Sequence, residues 1–568
     1  MKTSNSKFYF IALFMTLCFG QAIAQEDFPL VWESEFEVNA KEGTYTNGIG
    51  DRVFGTNDNA CSMLDGNGKL IWSGKYKDIA TNGVGNSDYR FCAWDAGVYF
   101  VFDKKLGKDR VAAIDTETGK ELWNTERYQN LTLDNIEYIT ELESFMLSLK
   151  DRIILIKART GEEVWETDKF NGSIGSYLYL PEEREIIMIN FKPTLLGALF
   201  SGFKNQFVRI NADNGNVVWD ASYRGLVEKK VITREPLVSI SRVDDKVFLY
   251  MNGLQVYDLA TGKELWSAVY DVDPSARSGF VRSVVPGKPQ SVGVYGMIAD
   301  PLVTDDNVYL VLGDDKGKNK FIEKRKLQTG ELVWRSEKID KANALPNIEK
   351  VGNTIVAQIG GLVEVQSYSR ERNSDGSFTT YKIVQNAWMG KFGLAGIDDS
   401  NGQYVWRSEK FKKRITNIIV EDEKIYAASG VAFYCLDAFS GEEKFSVEHG
   451  RAGVGLPYTG FNKGNKIVMV CDKGVTAFAK ADGNQLYKSD KFKGITDYYT
   501  LGNNFFIQNA ANGKIAGVDL ENGNIKGELK AKGKGEGSVY GAGVDITNDG
   551  EYIYWFKGKK VEKYKVNP

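Results

Sequence analysis

The chain of 568 residues is 42% hydrophobic and 26% charged, and its 59 glycines, 11 prolines and 12% aromatic residues suit a folded protein of many short strands and turns. Its 72 basic and 75 acidic side chains nearly cancel to a formal charge of -3, so no global field gathers phosphate backbones or anionic lipid, and nucleic acid is not an expected partner. A single histidine excludes multi-histidine metal centres.

In chain order, Lys2 and Lys7 precede an apolar run, Phe8 to Gly20, which ends near Ala22 and Ala24. This reads as a secretory leader over residues 1–24, cleaved after about Ala24. The run is short for a membrane span, and no later stretch is long and apolar enough for one. Leu17 stands where lipid attachment at Cys18 would need a small residue, so a soluble exported chain, periplasmic or extracellular, is expected from Gln25 onward.

After a strand-like segment at residues 30–36 (LVWESEF), one skeleton recurs: a polar turn, a glycine, and a large aromatic four residues later. It appears as Gly68/Trp72, Gly119/Trp123, Gly161/Trp165, Gly215/Trp219, Gly262/Trp266, Gly330/Trp334 and Gly402/Trp406. Weaker copies follow at Gly441/Phe445 and Gly483/Tyr487, while Gly523 is answered by no aromatic residue. A polar residue commonly stands four positions before the glycine, as in Asp115, Asp258 and Asp398, where it can cap the turn amides; at that hairpin position capping outweighs metal binding. Two residues earlier a small one is common, as in Ala113, Gly396, Cys435, Ala477 and Gly517.

Alternating runs such as DDKVFLYMNGLQVYDL (residues 244–259) precede the copies, so each unit reads as four short antiparallel strands. Such a sheet cannot bury both faces alone. Stacking the units face to face about an axis does so, which predicts an all-β propeller of about 10–11 blade-length repeats, in one large ring or two smaller ones. The tryptophans become wedges between blades, and the small residues are expected to make room for a neighbour's ring. Residues 545–566 read as three further strands, with residues 30–36 as the fourth that closes a ring by joining the two ends.

Several segments depart from the minimal unit. FKPTLLGALFSGFKNQF (residues 191–207) is an apolar excursion in which Leu195, Leu196, Leu199, Phe200 and Phe203 are candidate partner contacts. Residues 270–301 and 366–390 are long insertions, where a protein that grips a partner would do so first. Lys412, Lys413 and Arg414 form a short basic run read as a solvated edge, and His449 is read as a solvated loop residue. Of the four cysteines beyond the leader, Cys435 and Cys471 read as packing thiols, whereas a Cys61–Cys92 bridge between adjacent units remains open.

The pattern Ala-x-Asp-x-x-x-Gly-Lys-x-x-Trp, complete at Ala113, Asp115, Gly119, Lys120 and Trp123 and nearly so at Asp258, Gly262, Lys263 and Trp266, resembles the docking motif of pyrroloquinoline quinone (PQQ)-like repeats. Those repeats build quinoprotein alcohol dehydrogenases and the propeller lipoprotein of the bacterial outer-membrane β-barrel assembly machine. The resemblance covers nearly all of residues 25–568 and implies the fold strongly, the function weakly, because the matched residues belong between blades. The dehydrogenase type would hold PQQ with calcium, often beside a disulfide of adjacent cysteines, and has longer loops; this chain has no adjacent cysteines and mostly minimal units. The expectation is therefore a non-catalytic exported scaffold that binds a protein or glycan through its loops and channel mouth and uses no cofactor. The alternatives are a PQQ-dependent dehydrogenase and an outer-membrane protein assembly factor associated with that membrane.

Overall fold

The computed structural model describes residues 27–566 except 41–42, 88, 104–108, 129–130, 132–135, 150–151, 170–172, 193–203, 224–238, 251–252, 270–289, 296–297, 314–319, 340–341, 373–377, 409–410, 412, 450–452, 491, 510–512 and 531–542. The segment read as a leader, residues 1–24, and the five apolar residues Leu195, Leu196, Leu199, Phe200 and Phe203 lie outside the described residues.

Eleven antiparallel sheets follow one another along the chain. Ten are four-stranded, and the seventh carries a fifth strand. Numbered as blades, they span residues 43–75, 89–125, 136–167, 173–222, 239–269, 302–335, 347–408, 419–448, 457–489, 497–530 and, for blade 11, 544–565 with Leu30–Glu35. The two middle strands of a blade are apolar on both faces, as in Lys246–Tyr250 and Lys466–Cys471, because each face meets a neighbouring blade. First strands of adjacent blades approach one another, Gly43–Thr46 with Val544–Ile546 and Ser173–Leu180 with Ser239–Val243, which places them at the inner edge. The fourth strands, with their half-exposed alternation, form the rim.

The hydrophobic core is divided into clusters, and the described residues show one at every junction between consecutive blades. The junction from blade 11 back to blade 1 has its own cluster, Phe36, Ala40, Val53, Leu64, Tyr554, Phe556 and Val561. That cluster makes the assembly one closed ring. At the same junction Asp545 Oδ2 accepts hydrogen bonds from the Thr46 amide (2.8 Å) and hydroxyl (2.9 Å), and Trp32 Nε1 donates to Gly66 O at 2.9 Å.

Each docking aromatic crosses to the next blade. A methyl group added at Gly215 would lie 2.7 Å from the Trp165 ring, and at Gly262 2.5 Å from Trp219. These glycines also have φ of +71° and +68°, so a side chain there fails on backbone grounds as well as on space. The indole then donates Nε1–H to a carbonyl of the blade it covers: Trp72 to Thr116 (2.8 Å), Trp123 to Ala158 (2.8 Å), Trp165 to Ala212 (2.9 Å), Trp219 to Leu259 (3.0 Å), Trp266 to Leu327 (3.1 Å), Trp334 to Asp399 (2.8 Å) and Trp406 to Ala438 (3.0 Å). Packing and the buried donor are satisfied together.

The small residue of the motif works differently from the expectation. Gly396 is paired with Trp406 in its own sheet, and a methyl group there would strike that ring. Ala113 likewise stands opposite Trp123. The space is therefore made for the blade's own indole, whose far edge then reaches the neighbour.

Blade 10 lacks this aromatic, since Gly517 faces Gly527. Phe28, only 2% exposed, fills the gap: a methyl group at Gly527 would be 2.6 Å from its ring, and its amide donates to Glu528 O at 3.2 Å. The chain then enters blade 11 as Leu30–Glu35, paired antiparallel with Lys560–Lys565. The N-terminal segment thus latches two blades. Phe28→Ala should leave a cavity costing about 3–5 kcal/mol. Hydrogen exchange followed by mass spectrometry should show protection lost first in peptides of blades 10 and 11, with blades 3–6 unchanged; uniform loss around the ring would contradict the latch.

Candidate functional site

Antiparallel order sorts the connections onto two faces. Turns between first and second strands, and the glycine turns between third and fourth, fall at one end of each blade, except that blade 11 has no turn between its third strand and Leu30–Glu35. Hairpins between second and third strands, and the links to the next blade, fall at the other, the link face. The turn face is regular. Asp115 Oδ1 accepts from the Thr118 amide (2.8 Å) and hydroxyl (3.0 Å), and Asp258 Oδ1 from the Thr261 amide (2.7 Å) and hydroxyl (2.6 Å). Burial alone would raise the Asp115 carboxyl, but the Thr118 bonds and the Arg159 guanidinium outweigh it and hold the group below its usual range. Asp258 is lowered chiefly by the Thr261 hydroxyl. Oδ1 of each carboxylate is thus engaged by its own turn, and Asp115 Oδ2 by Arg159. Among the described residues no three His, Cys, Asp or Glu side chains are grouped to hold a metal ion.

All three long departures from the minimal blade leave and re-enter the ring at the link face. Residues 193–203 follow Glu185–Lys192 in the second-to-third hairpin of blade 4, residues 270–301 link blades 5 and 6, and residues 366–390 belong to the corresponding hairpin of blade 7. The last two, which the sequence presents separately, meet. The blade 7 strands Thr354–Arg372 and Phe378–Asp398 continue beyond the ring as a paired hairpin from Leu362↔Trp388 to Arg372↔Phe378. Gln290–Tyr295, from the blade 5–6 link, pairs with it across Glu364–Tyr368. These pairs form an arm of about 35 Å at about 3.4 Å per residue, three-stranded along Glu364–Tyr368 and two-stranded from there to Arg372.

The root of the arm is packed and pinned. Val363 and Ala344 are buried there with Ile298, Ala387 and Met389 around them. Asn343 Nδ2 donates to Gly390 O at 2.7 Å, and Trp388 meets Phe392 edge to face at 6.5 Å. The Arg414 guanidinium sits 5.0 Å from the Trp388 ring centre, so the run read as a solvated edge instead contributes a cation–aromatic contact across blades. Arg414 adopts φ of +65°, a conformation that costs a non-glycine residue energy and that the Ser429 hydroxyl supports by donating to its carbonyl at 2.6 Å. Lys413 is exposed beside it, and Lys412 is outside the described residues.

A second repeated position, not recognised in the sequence, tucks the links under this face. Four or five residues after the docking aromatic stand Phe36, Tyr76, Tyr128, Tyr223, Ile339, Phe411 and Phe492, all buried. His449 is the copy belonging to blade 8, four residues after Phe445. The solvated-loop reading is therefore overturned: His449 is 3% exposed, 5.8 Å from the Phe478 ring, and neither ring nitrogen has a hydrogen-bond partner among the described residues. The spacing was present in the sequence, but without the aromatic copies aligned beside it a histidine near glycines reads as loop.

At the inner edge of blades 1 and 2, Tyr45, Arg90, Phe91, Cys92, Trp94 and Tyr99 line a cavity of about 170 Å³. Behind it Tyr76 and Tyr99 share a hydroxyl contact at 3.0 Å. Cys61 and Cys92 pack in the same core cluster as free thiols, both pushed well up by burial, as are Cys435 and Cys471; the bridge left open by the sequence is not formed here. A thiol so raised is held protonated and is a poor nucleophile.

A ring of stacked four-stranded blades with a tryptophan-to-glycine docking contact at successive junctions is a PQQ-like-repeat β-propeller. The profile of the family described as outer membrane protein assembly factor BamB matches residues 107–287 and 391–549, more than half of the chain. The protein belongs to this family, and is closer to the BamB type of PQQ-like propeller than to the quinoprotein dehydrogenases. Among solved structures, BamB from Moraxella catarrhalis is 14% identical, covering 77% of this chain and 97% of its own at a TM-score of 0.31. The computationally designed Ika8 protein is 12% identical (85% and 96% covered, TM-score 0.28), and a eukaryotic initiation factor 9% identical (74% and 93%, TM-score 0.36). No curated protein matches the sequence.

Burial holds the His449 imidazole below its usual pKa of 6.5. The unfolded chain therefore takes up that proton at higher pH than the folded chain, and stability falls as pH drops below about 6.5. His449→Phe, which restores the aromatic of the other blades, should shrink the loss in denaturation midpoint between about pH 7.5 and about pH 5.5. An equal loss in both proteins would show that another group carries it.

Proposed function

We propose that this protein is a non-catalytic, exported propeller scaffold that holds a protein partner at its link face in outer-membrane protein assembly. The observation that carries the reading is where irregularity falls: the turn face repeats one capped hairpin, whereas every long insertion, including the arm, emerges on the opposite side. Repeated structure stabilises a ring, while surface that departs from the repeat is where a specific partner is recognised. Family membership supplies the setting, since the family is described as an assembly factor. The apolar run before Ala24 supports export, and no helix of the described residues is long and apolar enough to cross a membrane.

The docking residues Ala113, Asp115, Gly119, Trp123, Gly161, Trp165, Gly215, Trp219, Asp258, Gly262, Trp266, Gly330, Trp334, Asp398, Gly402 and Trp406 serve this role only indirectly, by holding the ring rigid. The excursion containing Leu195, Leu196, Leu199, Phe200 and Phe203 and the arm are the proposed contact regions. No cofactor is required.

Photo-crosslinking amino acids at Lys391 and Lys413 on the link face, with Glu117 and Thr261 on the turn face as controls, separate the faces in the native envelope. The link-face probes should capture an outer-membrane assembly protein that the controls do not. Equal capture from both faces, or capture of none, would refute the proposal, as would dye reduction by the purified protein with PQQ, calcium and an alcohol.

A further inference from the structure

The arm ends the ring's regularity in a second way: it exposes a strand edge unlike any on the rim. The outermost strands of the eleven blades are four to six residues long, and each carries at least one charged residue, as in Glu121–Thr125, Glu163–Thr167 and Glu443–Glu448. Short charged edges resist pairing with other chains. The strand Phe378–Asp398 pairs on one side with Thr354–Arg372, while on its other side Tyr404–Ser408 reaches only Leu394–Ile397. Among the described residues, positions 378–386 have no ladder partner on that outer side.

The stretch FTTYKIVQN holds one charge, Lys382, with no proline, glycine or acidic residue, and it is rich in β-branched and aromatic types. Its outward N–H and C=O groups form a template for another strand. Lys382 is its one edge device; the stretch is otherwise longer than any rim strand and unbroken, with a single charge over nine residues.

We propose that this edge pairs antiparallel with the same edge of a second copy, joining two arms into one sheet about a two-fold axis. Self-pairing fits because an antiparallel strand can meet itself by a two-fold rotation, closing the contact with no edge left between the two arms. Like charges meet directly only in the register centred on Lys382. A shift of one residue sets Lys382 against Tyr381 or Ile383, and a wider one sets it against Gln385 with Ile383 opposite Val384. One strand pair is smaller than a standard protein interface, so a weak, reversible dimer is expected.

Sedimentation velocity and light scattering of the full chain should show a monomer–dimer equilibrium across the micromolar range. A variant with residues 364–386 replaced by an Asn-Gly turn should be monomeric throughout and keep its thermal midpoint. Single cysteines introduced as Thr380→Cys, Lys382→Cys and Val384→Cys should form disulfide-linked dimers on mild oxidation, whereas Thr261→Cys on the turn face should not. A full chain that stays monomeric at the highest concentration, a trimmed variant that dimerises equally, or crosslinks unrelated to position would each overturn the proposal. None of these outcomes depends on the assembly partner, so the two readings fail separately.

Discussion

The indole wedged over the next blade's glycine turn is the contact on which the molecule depends. A four-stranded blade has two apolar faces and an open rim, and the docking ring closes the gap where adjacent blades diverge. Its geometry is demanding, since the glycine must have positive φ, the approach leaves no room for a methyl group, and the buried N–H needs a carbonyl at hydrogen-bond distance. Trp165 on Gly215 and Trp219 on Gly262 meet all three conditions. Because the contact always points from one blade to the next, it propagates around the ring and gives the repeat its direction.

Ring closure tests that scheme where the chain begins and ends. Blade 11 borrows Leu30–Glu35, whose Trp32 docks on the turn at Gly68 as any other blade's ring would. Blade 10 has glycine where its ring should stand, and Phe28 arrives from the far end of the sequence to take the place. One short segment thus repairs a defective copy and seals the ring, so the last two blades share their stability with the N-terminus.

A ring so held can carry irregularity only where strands are not needed for docking. The glycine turns are constrained at both ends by the wedge, which keeps that face uniform. The link face has no such constraint beyond the buried anchor after each docking aromatic, and it is there that the insertions collect. Blade 8 uses His449 at that anchor, exchanging an inert ring for one that titrates. Blade 7 extends its middle strands into the arm, which the Arg414–Trp388 contact ties to the next blade's link.

The propeller was legible in the residues because Gly119 and Trp123, or Gly262 and Trp266, sit at fixed spacing within one hairpin, and local chemistry of that kind needs no knowledge of distant neighbours. The contribution of residues 30–36 to the last blade was legible for the same reason, as a strand count one short. Whether eleven units made one ring or two was decided only by tertiary structure, since the twist between blades is a collective property of every interface. So were the roles of Phe28 and the 270–301 insertion: each depends on a partner far away in sequence, Gly527 and Glu364–Tyr368, and periodicity carries no information about contacts that occur once. The spacing that places His449 does recur along the chain, but only the burial of its aromatic counterparts shows it to be an anchor position.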